Sequence, residues 1–365
     1  MNKFKFYFIV LCTVFALFSC SKADKVTYEP VREYATQYAA DLATIEDYLK
    51  TYYIEQIIDN PGAINDQDIK ISKIPEGNTS LVALWDSPLL RFKEVVYKDL
   101  TYKVYYLQLR AGDAVNGKSP CRVDEVLTSY DGSYLQYEDT VVGTTTTTEL
   151  KANRFDYFQI PSFFIRLDQV ITGWIEIFPL FKSGTIAVGQ GSNPTTYNDF
   201  GAGVMFLPSA LGYYNATQTN IPSYSPLVFS FKLFDVKRTD QDADGILSKD
   251  EDTNQDGIFT NDDTDGDGTQ NYLDADDDGD GYLTKTEITL PGTGVGTAFP
   301  TSYYPYGAAT DDPATLDIDE RYGIPRKFTG PVDSATQLHT SIPEDFTDPL
   351  RLRRHLDPTT FPPFQ

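Results

Sequence analysis

Carboxylates set at a fixed interval carry the most explicit chemistry in this sequence. Asp240, Asp242 and Asp244 alternate, Gly245 follows, and Ile246, Ser248 and Glu251 complete a run of twelve residues. The order recurs as Asp252, Asn254, Asp256, Gly257, Ile258, Thr260 and Asp263. It recurs again as Asp263, Asp265, Asp267, Gly268, Thr269, Asn271 and Asp274, and a fourth time as Asp276, Asp278, Asp280, Gly281, Tyr282, Thr284 and Glu287. Side chains at the first, third and fifth positions of such a loop can turn their oxygens toward one ion. Gly at the sixth allows the sharp turn, the backbone carbonyl of the seventh (Ile246, Ile258, Thr269, Tyr282) can ligate, and the acid at the twelfth closes the cage. Residues 240–287 hold 15 Asp, two Glu and two Lys, which is −15 of the chain's net −23. Carboxylates this dense repel one another unless a cation sits among them. The segment therefore reads as a metal-binding one, with a solvated acidic linker as the alternative. Oxygen-only ligands favour calcium over magnesium, which prefers to keep its waters, so structural Ca2+ is the expected cofactor.

Each loop resembles that of an EF-hand. Starts at 240, 252, 263 and 276 leave no room for full helices between loops, however, and Asp263 is shared by two of them. The series is thus similar to thrombospondin type 3 repeats, in which short loops wrap calcium ions one after another.

Other reactive side chains are few. The chain has two histidines, His339 and His355, and no Ser-His-Asp or Cys-His arrangement near the central region, so acid–base or hydrolytic chemistry built on histidine is not expected. The net charge of −23 argues against nucleic-acid binding, which needs a basic face. Lys3 and Lys5 precede an apolar run, Phe6–Phe18, that is too short to span a bilayer. The run ends Leu17-Phe18-Ser19-Cys20, which resembles the lipobox of bacterial lipoproteins. That resemblance implies removal of residues 1–19 and acylation of Cys20, leaving a chain anchored to a membrane rather than spanning it. The expected location is the cell envelope, in the outer membrane with either a periplasmic or a surface face. Cys12 leaves with the signal and Cys20 carries lipid, so Cys121 remains as a single thiol and no internal disulfide is expected.

The elements that must position any site lie between residues 101 and 238. Residues 103–109 and 122–130 read as strands, Val204–Leu207 and Leu227–Val236 as clean strands, and Val170–Ser183 as a short amphipathic helix ending near Gly184. An antiparallel sheet with one helix across it makes the fold α+β. Upstream, residues 30–57 show helical spacing through Ala39, Leu42, Ile45, Tyr48 and Leu49, either as a helix packed on the domain or as a stalk from the anchor. Residues 58–100 suggest turns and a hairpin. The resulting division is 1–19 signal peptide, 20–100 helical and linker region, 101–238 sheet domain, 239–288 calcium repeats and 289–365 a Pro/Gly-rich tail. In that tail Arg351, Arg353 and Arg354 beside His355 either pair with the acidic repeats or are solvated.

Three stretches in this region, VITGWIEIFPLFKSG (170–184), LPSALGYY (207–214) and IPSYSPLVFSFKLFDV (221–236), occur in the order and at the spacing of FKBP-type peptidyl-prolyl isomerases. The chain resembles that family over about 130 residues, and resembles isomerase lipoproteins of gliding bacteria (Bacteroidota). The resemblance implies a curved antiparallel sheet half-wrapped around a short helix, with a hydrophobic bowl for a proline ring and no catalytic cofactor. It matches Tyr130 with a pocket tyrosine and Val170 and Ile171 with the apolar pair before the helix, the Ile171 N–H facing substrate. It matches Trp174 with the indole floor, Tyr213 with a donor to a substrate carbonyl, and Ile221, Phe229 and Phe163 with wall residues. The family's Phe-Asp pair has two candidate matches, Val142-Gly143 as the better local one and Phe155-Asp156 across a Thr-rich insertion. The first would remove a wall aromatic and a carboxylate, with peptide binding kept and turnover lowered. The functions implied are an envelope folding catalyst acting on proline-containing polypeptides, or a weak or inactive relative serving as chaperone, peptide binder or member of a surface protein complex.

Overall fold

The computed structural model describes residues 30–142, 144–191, 194–216, 218–290, 293, 301–306, 323–326, 329–332, 335, 339–341 and 351–360. Cys20 and the signal segment lie outside them. No described helix is long and apolar enough to cross a membrane.

A seven-stranded antiparallel sheet organises the chain. It contains β3 (Leu90–Tyr97), β4 (Leu100–Arg110), β5 (Glu125–Val142), β6 (Thr145–Phe158), β7 (Ile165–Arg166), β10 (Gly201–Leu207) and β11 (Leu227–Lys237). The order is β3-β4-β10-β11-β5-β6, with β7 paired to the start of β5. Small two-stranded sheets flank it: β1 (Tyr52–Ile57) with β2 (Ile69–Lys73), β8 (Thr185–Ala187) with β9 (Thr196–Asn198), and β12 (Thr329–Val332) with β13 (His339–Ser341). The β3–β4 hairpin turns on Lys98 and Asp99, both at positive φ (50° and 59°), the backbone twist that suits a two-residue hairpin.

Both faces of the sheet are covered, which explains why β10 reads as an unbroken small and apolar run, GAGVMFL, buried at every position. On one face Tyr102, Val104, Met205, Leu207, Phe229 and Phe231 pack with Trp174, Ile177 and Phe178. The last three belong to or follow α2 (Thr172–Ile177), a helix of six residues continued by a 3-10 turn through Leu180. Glu176 pins α2 through ion pairs of 2.7 Å to both Lys93 and Arg122. Gly173 is required by close packing, because a Cβ there would sit 2.4 Å from Leu207.

The other face is closed by α1 (Tyr34–Thr51), so the upstream helix is packed on the domain. Its buried stripe is Gln37, Asp41, Ile45, Tyr48 and Leu49, spaced by four, four, three and one. The apolar members meet Tyr105, Leu107, Val204, Phe206 and Val228. The polar members are tied into the structure. The Gln37 amide donates to Asp41 at 2.6 Å, and Asp41 Oδ2 accepts from Ser209 N (2.7 Å) and Ser209 Oγ (2.6 Å). Asp41 is 1% exposed and Ser209 fully buried, so this carboxylate fixes the loop after β10 that continues to Tyr213. Asp41→Ala strands the Ser209 donors without partner or water. An unsatisfied buried polar group costs about 1–3 kcal/mol, and urea denaturation of the variant is expected to show a loss of that order.

Candidate functional site

One cavity of about 560 Å³ opens against α2, lined by Tyr130, Phe155, Asp156, Phe163, Ile165, Gln169, Val170, Ile171, Trp174, Tyr213 and Phe229. Of the residues expected from the sequence, Tyr130, Val170, Ile171, Trp174, Tyr213, Phe229 and Phe163 come together here. Ile221 does not line the cavity; it is buried in the adjoining core. Ile165 and Gln169, which no pattern singled out, join the wall from β7 and the 3-10 turn Leu167–Gln169.

The floor is the Trp174 ring, 5% exposed, at the start of α2. Tyr130 stands edge-on to it at 5.0 Å, Phe229 edge-on at 5.3 Å, and Phe155 edge-on to Phe229 at 5.6 Å. Edge-to-face contacts let each ring's positive rim meet a neighbour's negative face, and such pairs add about 0.5–1.5 kcal/mol beyond burial. The Trp174 indole N–H has no hydrogen-bond partner among the described residues.

Phe155 and Asp156 reach the bowl together because β6 carries a bulge. Gly132 on β5 faces Asp156, but Ser133 faces Arg154, which leaves Phe155 as the extra residue. Neighbours on a regular strand point to opposite faces. An inserted residue breaks that alternation and re-aims side chains locally. Arg154 accordingly pairs outward with Asp131 and lies over Tyr157, while Phe155 and Asp156 both point inward. Gly132 makes room for them, since a Cβ there would sit 2.7 Å from Phe229 and 2.9 Å from Phe155. The expected match at Val142-Gly143 is therefore corrected. Val142 pairs with Thr145 at the far end of the hairpin, twelve residues along β5 from Tyr130, or roughly 40 Å at about 3.3 Å per residue. Gly143 lies outside the described residues. The Thr-rich insertion is the protruding end of this hairpin.

Asp156 Oδ2 accepts a 2.7 Å hydrogen bond from the Tyr130 hydroxyl. Burial, then that bond and the carboxylate's charge, push the Tyr130 phenol well above its ordinary value; burial followed by Asp156 also raises Tyr213. Both hydroxyls therefore remain protonated donors. Among the described residues that line the cavity, Asp156 is the only carboxylate, and it accepts from Tyr130. What the site can do is seat an apolar ring on indole and present hydroxyl donors around it.

The acidic segment is a folded appendage with its own small core. Ile246, Ile288, Leu290, Tyr304 and Ile324 cluster together, drawing residues from both ends of the segment and from beyond it. Arg354 is fully buried over Tyr304, and its neighbour Arg353 lies 3.8 Å over Tyr306. His355 is buried too, its imidazole pushed down to about 3 by burial and the adjacent arginines. The four loops repeat one conformation. Gly245, Gly257, Gly268 and Gly281 all have positive φ, and the N–H of Ile246, Ile258, Thr269 and Tyr282 each donates to the Asp two residues earlier at 2.7–2.8 Å. Four carboxylate groups could hold a divalent ion, their candidate ligand atoms lying within 4.8 Å of one another. These are Asp240/Asp242/Asp244, Asp244/Glu251/Asp277, Asp263/Asp265/Asp267 and Asp276/Asp278/Asp280. The second group joins the first and fourth loops through space, which spacing alone did not indicate. Asn254 leaves the Asp252–Asp256 loop outside these groups, and Asp274 belongs to none.

Three comparisons bear on identity. Residues 241–317 match the family described as BamM C-terminal. No curated protein matches the chain. Among solved structures, FkpA from Escherichia coli is 26% identical over 37% of this chain, with a TM-score of 0.25, and the chain spans about half of it (48%). A peptidyl-prolyl cis-trans isomerase from Pseudomonas syringae pv. tomato is 14% identical over 57% of this chain and all (100%) of that one, with a TM-score of 0.27. The described residues form a seven-stranded antiparallel sheet with helices packed on both of its faces.

The BamM C-terminal match overturns the assignment of the acidic segment to thrombospondin type 3 or EF-hand-like calcium repeats, and with it structural Ca2+ as the cofactor. Loop spacing reports the turn and not the domain that carries it. Here the loops share an apolar cluster with residues beyond 288.

Without a cation these carboxyls favour their neutral form. Burial first, and neighbouring carboxylates second, push Glu251 up to about 11 and Asp277 up to about 9; burial and then Asp278 push Glu287 up to about 10. Carboxyls in the unfolded chain ionise near pH 4. A folded-state value above that means the folded form holds protons the unfolded form has released, so stability falls as pH rises from about 4 toward 9. In chelator-treated protein, hydrogen exchange within residues 240–288 is expected to slow as pH drops from 8 to 5, once the intrinsic pH effect is removed.

Proposed function

We propose that this chain is a peptide-binding protein of the bacterial envelope whose bowl seats the proline of an extended polypeptide segment. It acts as a chaperone-like or structural surface protein, held to the membrane through acylated Cys20. The single observation that carries the reading is the bulge-driven entry of Phe155 and Asp156, which completes an aromatic wall around Trp174. A proline ring is apolar, rigid and compact, and the faces of Tyr130, Phe155, Trp174 and Phe229 enclose a space of that character. The Tyr213 hydroxyl is available to a carbonyl flanking the ring.

The second reading, isomerisation of the X-Pro bond, is favoured by the same closure. Rotation must break amide resonance, over a barrier of about 18–20 kcal/mol, and takes roughly 10–100 s uncatalysed. A dry bowl accelerates it only by holding the twisted amide more tightly than either planar form. The Tyr130–Asp156 pair supports this, because it fixes two polar groups in place before substrate arrives.

Calorimetric titration of the full chain with a proline-containing tetrapeptide, beside a prolyl isomerisation assay, separates the readings. Binding that Trp174→Ala weakens tenfold or more, without turnover above background, establishes a peptide binder. Turnover that the same variant abolishes establishes the isomerase. A folded chain that neither binds nor turns over the peptide overturns both.

A further inference from the structure

The wall of the bowl formed by Gln169, Val170 and Ile171 leads directly from a polar node shared with the acidic segment. Arg166, at the end of β7, makes a two-pronged pair with Asp168, Nε to Oδ1 at 3.0 Å and Nη2 to Oδ2 at 2.6 Å. The pair spans the start of the 3-10 turn Leu167–Gln169. That turn is otherwise pinned by Leu167 N donating to Asp124 O at 3.0 Å, with Leu167 fully buried. The same Nη2 of Arg166 also donates to Oε1 of Gln241, the second residue of the acidic segment.

Gln241 is itself held on two sides. Its Nε2 donates to Val123 O at 2.9 Å, and its backbone N–H donates to Ser248 Oγ at 3.1 Å inside the first acidic loop. Around this node the segment docks firmly. Phe259 and Tyr272 pack on Val123, Thr239 Oγ1 donates to Val123 O at 3.1 Å, and Arg238 pairs with the buried Asp124. The node is thus polar and directional, at the edge of an apolar contact that anchors the acidic segment beside the turn feeding the bowl.

We propose that Gln241 is a positioning residue for the peptide site, acting through Arg166 on the Leu167–Ile171 wall. The proposal rests on the peptide-binding reading above. A second acceptor at the same Nη2 removes rotational freedom from the guanidinium and so holds Asp168, and the turn that contains it, in one place. A looser turn leaves Val170 and Ile171 free to move away from a bound ring. The acidic segment thereby tunes affinity at a site that none of its own residues lines.

Two variants of the full chain test this. Gln241→Ala removes both side-chain bonds, while Gln241→Glu keeps an acceptor for Arg166 and loses the donor to Val123 O. Hydrogen exchange read across residues 165–171 needs no ligand. It is expected to quicken about threefold to tenfold in Gln241→Ala and to stay near wild type in Gln241→Glu, with circular dichroism unchanged. Affinity for the proline-containing tetrapeptide is expected to follow, falling threefold to tenfold in the first variant only. Exchange in Gln241→Ala equal to wild type overturns the proposal. Equal quickening in both variants also overturns it, since the route would then run through Val123. Quickened exchange in Gln241→Ala alone, in a protein that binds no peptide in any form, keeps the coupling and removes the peptide-binding reading.

Discussion

One inserted residue decides what this sheet can bind. With a regular β6, either Phe155 or Asp156 would face the bowl and the other would face outward. The bulge opposite Gly132–Ser133 turns both inward at once, and the missing side chain at Gly132 leaves the space they need. The aromatic wall, the Tyr130–Asp156 hydrogen bond and the clearance around Phe229 all follow from that irregularity. Bulges carry a local loss of ladder pairing, so their presence beside a cavity is consistent with a positional role for the side chains they redirect.

The rest of the molecule keeps this geometry in place from both sides of the sheet. On the bowl side α2 supplies Trp174 and is pinned by Glu176 to Lys93 and Arg122. Behind the sheet α1 buries Ile45, Tyr48 and Leu49 and fixes the Ser209 loop through Asp41. The acidic segment reaches the third side of the site at Arg166. Each support is a polar contact seated beside apolar packing, so its geometry is specific.

Much of this could be read from residue patterns where local order governs. The strands at 204–207 and 227–236 follow from short-range periodicity, and seven of the eight pocket residues implied by the family resemblance line the cavity, whereas the helix expected over 170–183 is confined to Thr172–Ile177 and a 3-10 turn ending at Leu180. The Phe-Asp pair was harder, because choosing between Val142-Gly143 and Phe155-Asp156 depends on how far the β5–β6 hairpin extends, and hairpin length is set by cross-strand pairing. Val142 is close to Tyr130 in sequence and remote from it along an extended strand. Ile165 enters on β7, two residues long and paired with the start of β5, and Gln169 on the 3-10 turn that follows; elements this short leave no periodic signal. In the acidic segment the turns were legible, down to positive φ at all four sixth-position glycines. The domain was not, because its core residues Ile246, Ile288, Leu290, Tyr304 and Ile324 are spread over almost eighty residues with no repeat among them. Its match to the BamM C-terminal family replaces the calcium-repeat reading.

The central claim is that a proline ring sits on Trp174, and the chain's two tryptophans make it directly measurable. Trp174 floors the bowl, whereas Trp85 packs beside Tyr105 in the apolar cluster that contains α1 residues. Their two indole N–H signals can be followed by 15N nuclear magnetic resonance while a proline-containing tetrapeptide is added to the full chain. The structure predicts that the Trp174 signal shifts and saturates while the Trp85 signal stays fixed. Saturable peptide binding that leaves Trp174 unmoved would contradict the account and place the peptide site elsewhere on the molecule.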